Sequence, residues 1–187
     1  MQGETQAEAQ IVGHPVPPYQ RGEGGFGICH SASIWTIASI NGVLIMTFQL
    51  GKSYDELEIG EQASFTKTIT ETDVYLFAGI SGDFNPLHLN EEYAKQTPFK
   101  TRIAHGALPQ SLIAPVMGMQ LPGMGTILVE ITTRFKAPTY FGDTITATAR
   151  VAEKLDEKKW VKMALSWSNQ RGETVAEGEA IVIPPSK

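Results

Sequence analysis

The C-terminal part of the chain alternates apolar and polar positions with a period of two, which is typical of half-buried β-strands. Two runs show this alternation most clearly, and turn-forming residues at 156–159 and 169–172 follow them. Their apolar members are Ile145, Ala147, Ala149 and Val151 in the first run, and Val161, Met163, Leu165 and Trp167 in the second. An earlier strand is predicted from Val129, Ile131, Thr133 and Phe135, which share a face, and a last one over 175–183. The pattern predicts an antiparallel sheet with one apolar face.

Helical periodicity precedes these strands. The segment Thr70–Asp73 fits a capped helix start, and it follows the end of a predicted strand at 67–70. The helical stripe consists of Val74, Phe77, Ala78 and Ser81. Gly82 ends this helix. Pro86 disfavours helical backbone before it, so we expect a non-helical loop over 83–88, followed by a short helix over 90–96.

A second, longer helix is predicted to begin near His105 and Gly106. Its expected buried stripe is Leu108, Leu112, Val116 and Met119. Pro115 lies inside the helix and predicts a kink, because proline removes one backbone hydrogen bond. Since this is the only predicted element large enough to cover the apolar face of the sheet, the predicted fold class is α+β. We expect one antiparallel curved sheet wrapped around a central helix.

Residues 1–50 differ from the rest of the chain. They hold one basic and three acidic residues, whereas residues 51–187 hold 14 basic and 17 acidic ones. Because the segment is rich in Pro and Gly and has no sustained period, we interpret 1–50 as a low-complexity leader, disordered or not native, and 51–187 as the folded domain. One hypothesis is that translation starts at Met46; an intact mass matching the full chain would contradict it.

Three functional interpretations of this leader fail. Gly22, Gly24 and Gly27 match a dinucleotide-binding spacing, but a proline-rich stretch stands where the motif needs a strand. A secretory signal would need an early basic region. The apolar stretch over 33–48 is short for a membrane span and contains several polar residues.

Composition limits the function classes further. The 187 residues carry a formal net charge of −5, which argues against a nucleic-acid-binding protein because phosphate contacts need a basic surface. Cys29 is the single cysteine, so an internal disulfide and a cysteine-based zinc site are excluded. A lone cysteine suits a reducing compartment, and we expect a cytoplasmic location.

The candidate chemistry lies in the loop after the first helix. Asp83 and His88 are separated by a turn that Pro86 shapes, so their side chains can converge on one water as a general acid/base pair. The Gly106 N–H at a helix start could stabilise an oxyanion. Two alternatives stay open: Asp83 as a turn-capping residue and His88 as a structural histidine. A metal site formed by Asp83, His88 and His105 is disfavoured because the usual ligand spacings are absent, so we expect no metal.

Two segments, Phe77–His88 and Arg102–Gly106, together with Arg134–Asp143, resemble the MaoC-like (R)-specific enoyl-CoA hydratase family over about residues 51–185. The resemblance implies a hotdog fold, a homodimer joined edge to edge, and reversible hydration of trans-2-enoyl-CoA to (R)-3-hydroxyacyl-CoA. It implies Asp83 and His88 as the catalytic pair and the Gly106 N–H as oxyanion donor. Among the matching motif residues, His105 is a substrate-side candidate, and Ser81 and Asn85 are implied to shape the loop.

Such a reaction needs no cofactor, since the coenzyme A thioester is itself the substrate. Coenzyme A is anionic, and Arg134 and Lys136 are candidates for its phosphates, although both could be ordinary strand residues. Two other functions remain: a hotdog acyl-CoA thioesterase and a non-catalytic acyl-CoA-binding subunit. No nucleic acid or membrane is expected as a partner.

Overall fold

The computed structural model describes residues 35–40 and 43–186, and it divides the chain into two units, Met1–Gln49 and Leu50–Lys187. The glycine pattern at 22–27 and Cys29 lie outside the described residues. In the first unit, strands β1 (Trp35–Ile40) and β2 (Val43–Phe48) pair antiparallel. The composition of this segment predicts no regular element.

The second unit contains a five-stranded antiparallel sheet. Its strands are β3 (Gln62–Thr68), β4 (Ile127–Phe135), β5 (Thr144–Leu155), β6 (Trp160–Ser168) and β7 (Thr174–Ile183). Their spatial order is β3-β5-β6-β7-β4, so β3 and β4 are the edge strands. The two turns predicted from the sequence connect β5 to β6 and β6 to β7.

One face of this sheet forms the core. The alternating apolar residues of β5 and β6 are buried, as their period of two predicts. Strand β4 differs, because Val129 and Phe135 from its predicted face are about half exposed at 46% and 53%. The α+β fold class is confirmed.

Five short helices, preceded by a 3₁₀ turn at Tyr54–Glu56, accompany the sheet. They are α1 (Glu71–Ser81), α2 (Pro86–Leu89), α3 (Glu91–Ala94), α4 (Ala107–Ser111) and α5 (Ile113–Met119). Helix α1 has the predicted boundaries: Thr70 is its N-cap, and Gly82 ends it with a left-handed φ of 76°. Ser81 is exposed rather than buried in the stripe.

Two helix predictions are wrong in part. The loop expected over 83–88 is helical from Pro86 onward, because proline is favourable at a first helical position and Asn85 caps the turn. The central helix is divided at Leu112 into α4 and α5, since Pro115 has no N–H to donate to the carbonyl of Ser111. Met119 at the end of its predicted stripe is exposed.

Helices α4 and α5 nevertheless cover the apolar face, with α5 against β3 and β5 and α4 against β5. The helix over 90–96 is shorter than predicted, but Asn90 caps it as expected by accepting a hydrogen bond from the Tyr93 N–H. None of the helices in the described part of the chain combines the length and hydropathy that a membrane-spanning helix requires.

Candidate active site

The turn after α1 fixes the backbone of Asp83. The Ser81 hydroxyl donates to the Phe77 carbonyl at 2.8 Å and accepts the Asp83 N–H at 3.2 Å. The Asp83 carboxylate accepts the Asn85 N–H at 3.1 Å through Oδ1, as turn aspartates commonly do. Its side chain remains 53% exposed. The carboxylate is therefore oriented by the turn and still accessible to a water.

Helix α2 carries His88 inward. Asn85 caps the helix by accepting the Leu87 N–H at 3.0 Å, and the His88 side chain is 10% exposed. His88 Nδ1 lies 2.8 Å from the Ile103 carbonyl oxygen. Because a carbonyl can only accept, Nδ1 carries the proton, and Nε2 of the neutral ring keeps its lone pair. That Nε2 lies 4.0 Å from Asp83 Oδ2.

His105 contacts both members of this pair. Its Nε2 donates to the Asp83 carbonyl at 2.9 Å, and its ring stacks on His88 with centroids 3.8 Å apart and planes 32° apart. The ring of Phe77 lies 5.2 Å away. His105 Nδ1 is buried and has no hydrogen-bond partner among the described residues.

A cavity of about 340 Å³ opens beside His88 and Gly106. Its remaining walls are apolar for the most part and come from several elements. They include Phe99, Ile103, Pro109, Phe135, Val175 and Ala176. A Cβ on Gly106 would lie 3.1 Å from the Phe135 ring, so the ring would have to shift by a few tenths of an ångström to accommodate an alanine.

Ion pairs of Arg102 anchor the segment that supplies the Ile103 carbonyl. Arg102 contacts Glu71 at 2.7 Å and Glu91 at 3.4 Å, and its guanidinium lies 4.8 Å from the centroid of the Phe141 ring. Hydrogen bonds from Arg102 hold the pKa of both carboxyls below their ordinary value. These contacts join α1 and α3 to the segment that orients His88.

Of the two cations considered for coenzyme A, only Lys136 lines the cavity in the described part of the chain, and its Nζ pairs with Glu177 at 2.6 Å. Arg134 is exposed and lies opposite Glu177 in the β4–β7 register. The sequence analysis did not assign the Ile103 carbonyl or Phe135 to the site. The former is a backbone group, and the latter comes from a distant strand, so no local feature indicates that they contribute to it.

Asp83, His88 and His105 offer metal-ligand atoms within 4.8 Å of one another, although their sequence spacing has no metal signature. The stacked arrangement suits a shared metal poorly. Imidazole lone pairs lie in the ring planes, and rings stacked 3.8 Å apart with only a 32° tilt direct them side by side rather than toward one point. A small molecule between the carboxylate and Nε2 fits the geometry better.

Comparison with known proteins shows which family the chain resembles. Residues 56–170 match the MaoC-like domain family. An (R)-specific enoyl-CoA hydratase of Rhodospirillum rubrum is 48% identical over 134 residues, which are 72% of this chain and 92% of that protein. A 3-hydroxybutyryl-CoA dehydratase of Methylorubrum extorquens is 41% identical, over 72% of this chain and 85% of that protein.

Solved structures give the same result. An R-hydratase from Pseudomonas aeruginosa in the unliganded form is 44% identical, with a TM-score of 0.69 over 73% of this chain and 88% of that one. An (R)-hydratase from Aeromonas caviae is 37% identical, with a TM-score of 0.67 over 69% of this chain and 98% of that one. The second unit thus has the hotdog fold of these R-hydratases, and the chain belongs to the MaoC-like domain family.

Proposed function

We propose that this protein is an (R)-specific enoyl-CoA hydratase that adds water reversibly to trans-2-enoyl-CoA, giving (R)-3-hydroxyacyl-CoA. The observation that carries the proposal is the 4.0 Å separation between Asp83 Oδ2 and His88 Nε2 beside an apolar cavity. A water making hydrogen bonds of about 2.8 Å to both atoms spans that separation at an angle of about 90°. The relatives' names, hydratase and dehydratase, support the same reaction.

The chemistry follows from the two acceptors. The water donates one O–H to the Asp83 carboxylate and the other to His88 Nε2, so its oxygen lone pair is free to attack the β-carbon. As the C–O bond forms, the double-bond electrons move to the thioester oxygen and the pair takes up the water's proton. That proton then goes to the α-carbon, on the same side, and one H₂O has been added.

The Gly106 N–H is the proposed donor to the thioester oxygen. It precedes α4, where the first amides have no intrahelical acceptor, and Gly106 lines the cavity together with His88. A donor at this oxygen stabilises the enolate-like charge, and losing one such donor typically costs about 10²- to 10³-fold in rate. The apolar walls would hold the acyl chain.

The proposed partners are the coenzyme A part of the substrate and a second copy of this chain. Lys136 is the better-supported contact for a coenzyme A phosphate, since it borders the cavity, and Arg134 is the second candidate. The protein forms a homodimer through β4, whose apolar residues Ile127, Leu128 and Val129 are about half exposed or more. It acts in the cytoplasm and without a metal or organic cofactor, so exhaustive dialysis against EDTA leaves its activity unchanged.

The test measures two signals on one enoyl-CoA substrate. Loss of enoyl absorbance without release of free thiol, with (R)-3-hydroxyacyl-CoA as product by chiral analysis, is the expected result. Thiol release would indicate a thioesterase. Binding with neither signal would indicate a non-catalytic acyl-CoA-binding protein, and either of these results overturns the proposal. A series of chain lengths then defines the acyl preference.

A further inference from the structure

The peptide groups on either side of Asp83 are held by side chains. On the N-terminal side, the Asp83 N–H donates to the Ser81 hydroxyl at 3.2 Å. On the other side, the Asp83 carbonyl accepts Nε2–H of His105 at 2.9 Å. Because Asp83 follows the C-cap glycine of α1, no helical hydrogen bonding fixes its backbone. These two contacts, with the Asn85 N–H on its carboxylate, therefore define where the carboxylate lies.

His105 also contacts the other half of the pair. Its ring lies against the His88 ring at a centroid distance of 3.8 Å, and Phe77 lies 5.2 Å away. His105 is only 3% exposed, so its ring is enclosed by the protein at this position. One side chain thus touches the backbone of Asp83 and the ring of His88.

We infer that His105 is a positioning residue, which sets the distance between Asp83 Oδ2 and His88 Nε2. This inference rests on the proposed hydratase function and deepens it. His105 acts through the other two residues rather than on the substrate, because its Nε2 is occupied by the Asp83 carbonyl and its Nδ1 is buried away from solvent. Its loss therefore lowers the rate of the chemical step and leaves substrate binding nearly unchanged.

Packing alone does not account for a histidine at this place. His105 Nδ1 is buried without a hydrogen-bond partner among the described residues, and such an unpaired atom is destabilising. An apolar ring would fill the same volume without that cost. A histidine at this position is accounted for if two of its properties are both needed. These are the flat ring against His88 and the N–H that donates to the Asp83 carbonyl.

The test separates these two properties. His105→Phe keeps a ring and removes the donor, whereas His105→Gln keeps an N–H donor near the Nε2 position and removes the ring. We expect His105→Phe to lower kcat by about 10- to 100-fold with KM changed less than about 3-fold, the size of effect that small misplacements of reacting groups produce. His105→Gln regains part of the lost kcat, because the Asp83 carbonyl again has a donor.

Tyr54→Phe is the matched control, since it also deletes one partly buried side-chain hydrogen bond, that to Asp156, away from the site. It leaves kcat unchanged. If His105→Phe does not fold, His105→Gln decides by itself, because it removes the ring against His88 and should lower kcat with KM nearly unchanged. An unchanged kcat in that variant overturns the inference, as does a raised KM with normal kcat in either His105 variant. A wild-type protein that hydrates no enoyl-CoA contradicts the proposed function instead.

Discussion

Two backbone carbonyls decide which nitrogen of each site histidine carries a proton. The Ile103 carbonyl fixes the proton of His88 on Nδ1, and the Asp83 carbonyl fixes that of His105 on Nε2. In the proposed reaction, His88 Nε2 and the Asp83 carboxylate would therefore both be acceptors for the same water. A water held between two acceptors must direct its lone pairs elsewhere, which is what attack on a β-carbon requires.

This arrangement predicts the effect of Asp83→Asn. An amide is a far weaker proton acceptor of nearly the same shape, so we expect kcat for hydration to fall by about 10²- to 10⁴-fold. The fold and the affinity for acyl-CoA should persist, because Asp83 is half exposed and the cavity walls are unchanged. The measurements are steady-state hydration, acyl-CoA binding and thermal unfolding. Asp55→Asn, at an exposed site elsewhere, is the control, and turnover of Asp83→Asn near the wild-type value would refute the mechanism.

Gly106→Ala tests the close approach of Phe135. The new methyl group would lie 3.1 Å from the ring and would intrude on the cavity, so hydration falls and KM rises. Phe135→Leu in the same chain should restore part of the activity by making room. Gly118→Ala is the matched control, since no atom lies within 4 Å of the position that the added Cβ would take. That control should keep its activity and gain about 0.4–1 kcal/mol of stability. Equal activity losses in the two alanine variants would contradict this account.

At the scale of elements, the sequence predicted what neighbouring residues determine. The capping of α1 by Thr70, its end at Gly82 and the faces of β5 and β6 all follow from residues within a few positions of one another. Helix α2 was missed because a proline has two opposite effects. Pro86 disfavours helical backbone at the residue before it, which the prediction used, but it also favours a helix start at its own position. The sequence predicted a kink at Pro115. The helix is interrupted at Leu112 instead, because the hydrogen bond that proline cannot donate is missing about one turn upstream.

The candidate site divides in the same way. Asp83, His88 and Gly106 were proposed from the sequence because the turn after α1 and the helix start at Gly106 are local features. The residues that line the cavity could not be predicted from local sequence. Phe99, Phe135 and Val175 lie far apart along the chain and come together only in the folded protein. The ring contact between His88 and His105 depends likewise on tertiary packing.

Helix α1 ends at the candidate site, and the carboxyl group in its capping box, that of Asp73, should make its stability depend on pH. Thr70 and Asp73 form a capping box, and Lys67 lies 3.1 Å from the Asp73 carboxylate. Partial burial raises the pKa of Asp73, but hydrogen bonds from Thr70 and the charge of Lys67 outweigh it, so the pKa lies below its ordinary value of 3.8. A carboxyl whose pKa is lowered by folding stabilises the protein above its unfolded pKa and loses that contribution as the pH falls through its folded pKa.

We therefore expect Thr70→Ala to lower the free energy of unfolding by about 1 kcal/mol at pH 7. The difference from wild type should shrink below pH 3.8, where Asp73 gains a proton. It should not vanish, because the Asp73 N–H to Thr70 hydroxyl contact does not depend on that charge. Thr72→Ala, also in the first turn but outside the cap, is the control. Denaturant unfolding at several pH values measures both, and a difference that grows in acid would contradict the assignment.

At the scale of the whole molecule, the five-stranded sheet has one unusual edge. Three consecutive apolar residues of β4, Ile127, Leu128 and Val129, are 60%, 47% and 46% exposed, so apolar side chains on both faces of the strand contact water. Phe135 at its other end is 53% exposed. The charged residues of this strand, Glu130 and Arg134, lie beyond this apolar stretch, and an exposed apolar stretch on an edge strand invites another strand to pair. The opposite edge, β3, is different: its exposed positions are polar, Gln62, Ser64, Thr66 and Thr68.

This asymmetry predicts that two copies associate through β4 and that β3 stays free. Leu128→Lys places a charge where the proposed partner strand would pack, so the mass measured by light scattering should shift from dimer toward monomer. Thr66→Lys introduces the same charge at the β3 edge and should leave the dimer intact. Phe135 belongs both to this exposed strand and to the cavity beside Gly106, so separation of the copies should also lower hydration. A monomeric wild type with full activity, or a dimer broken by Thr66→Lys alone, would show that β4 is not the interface.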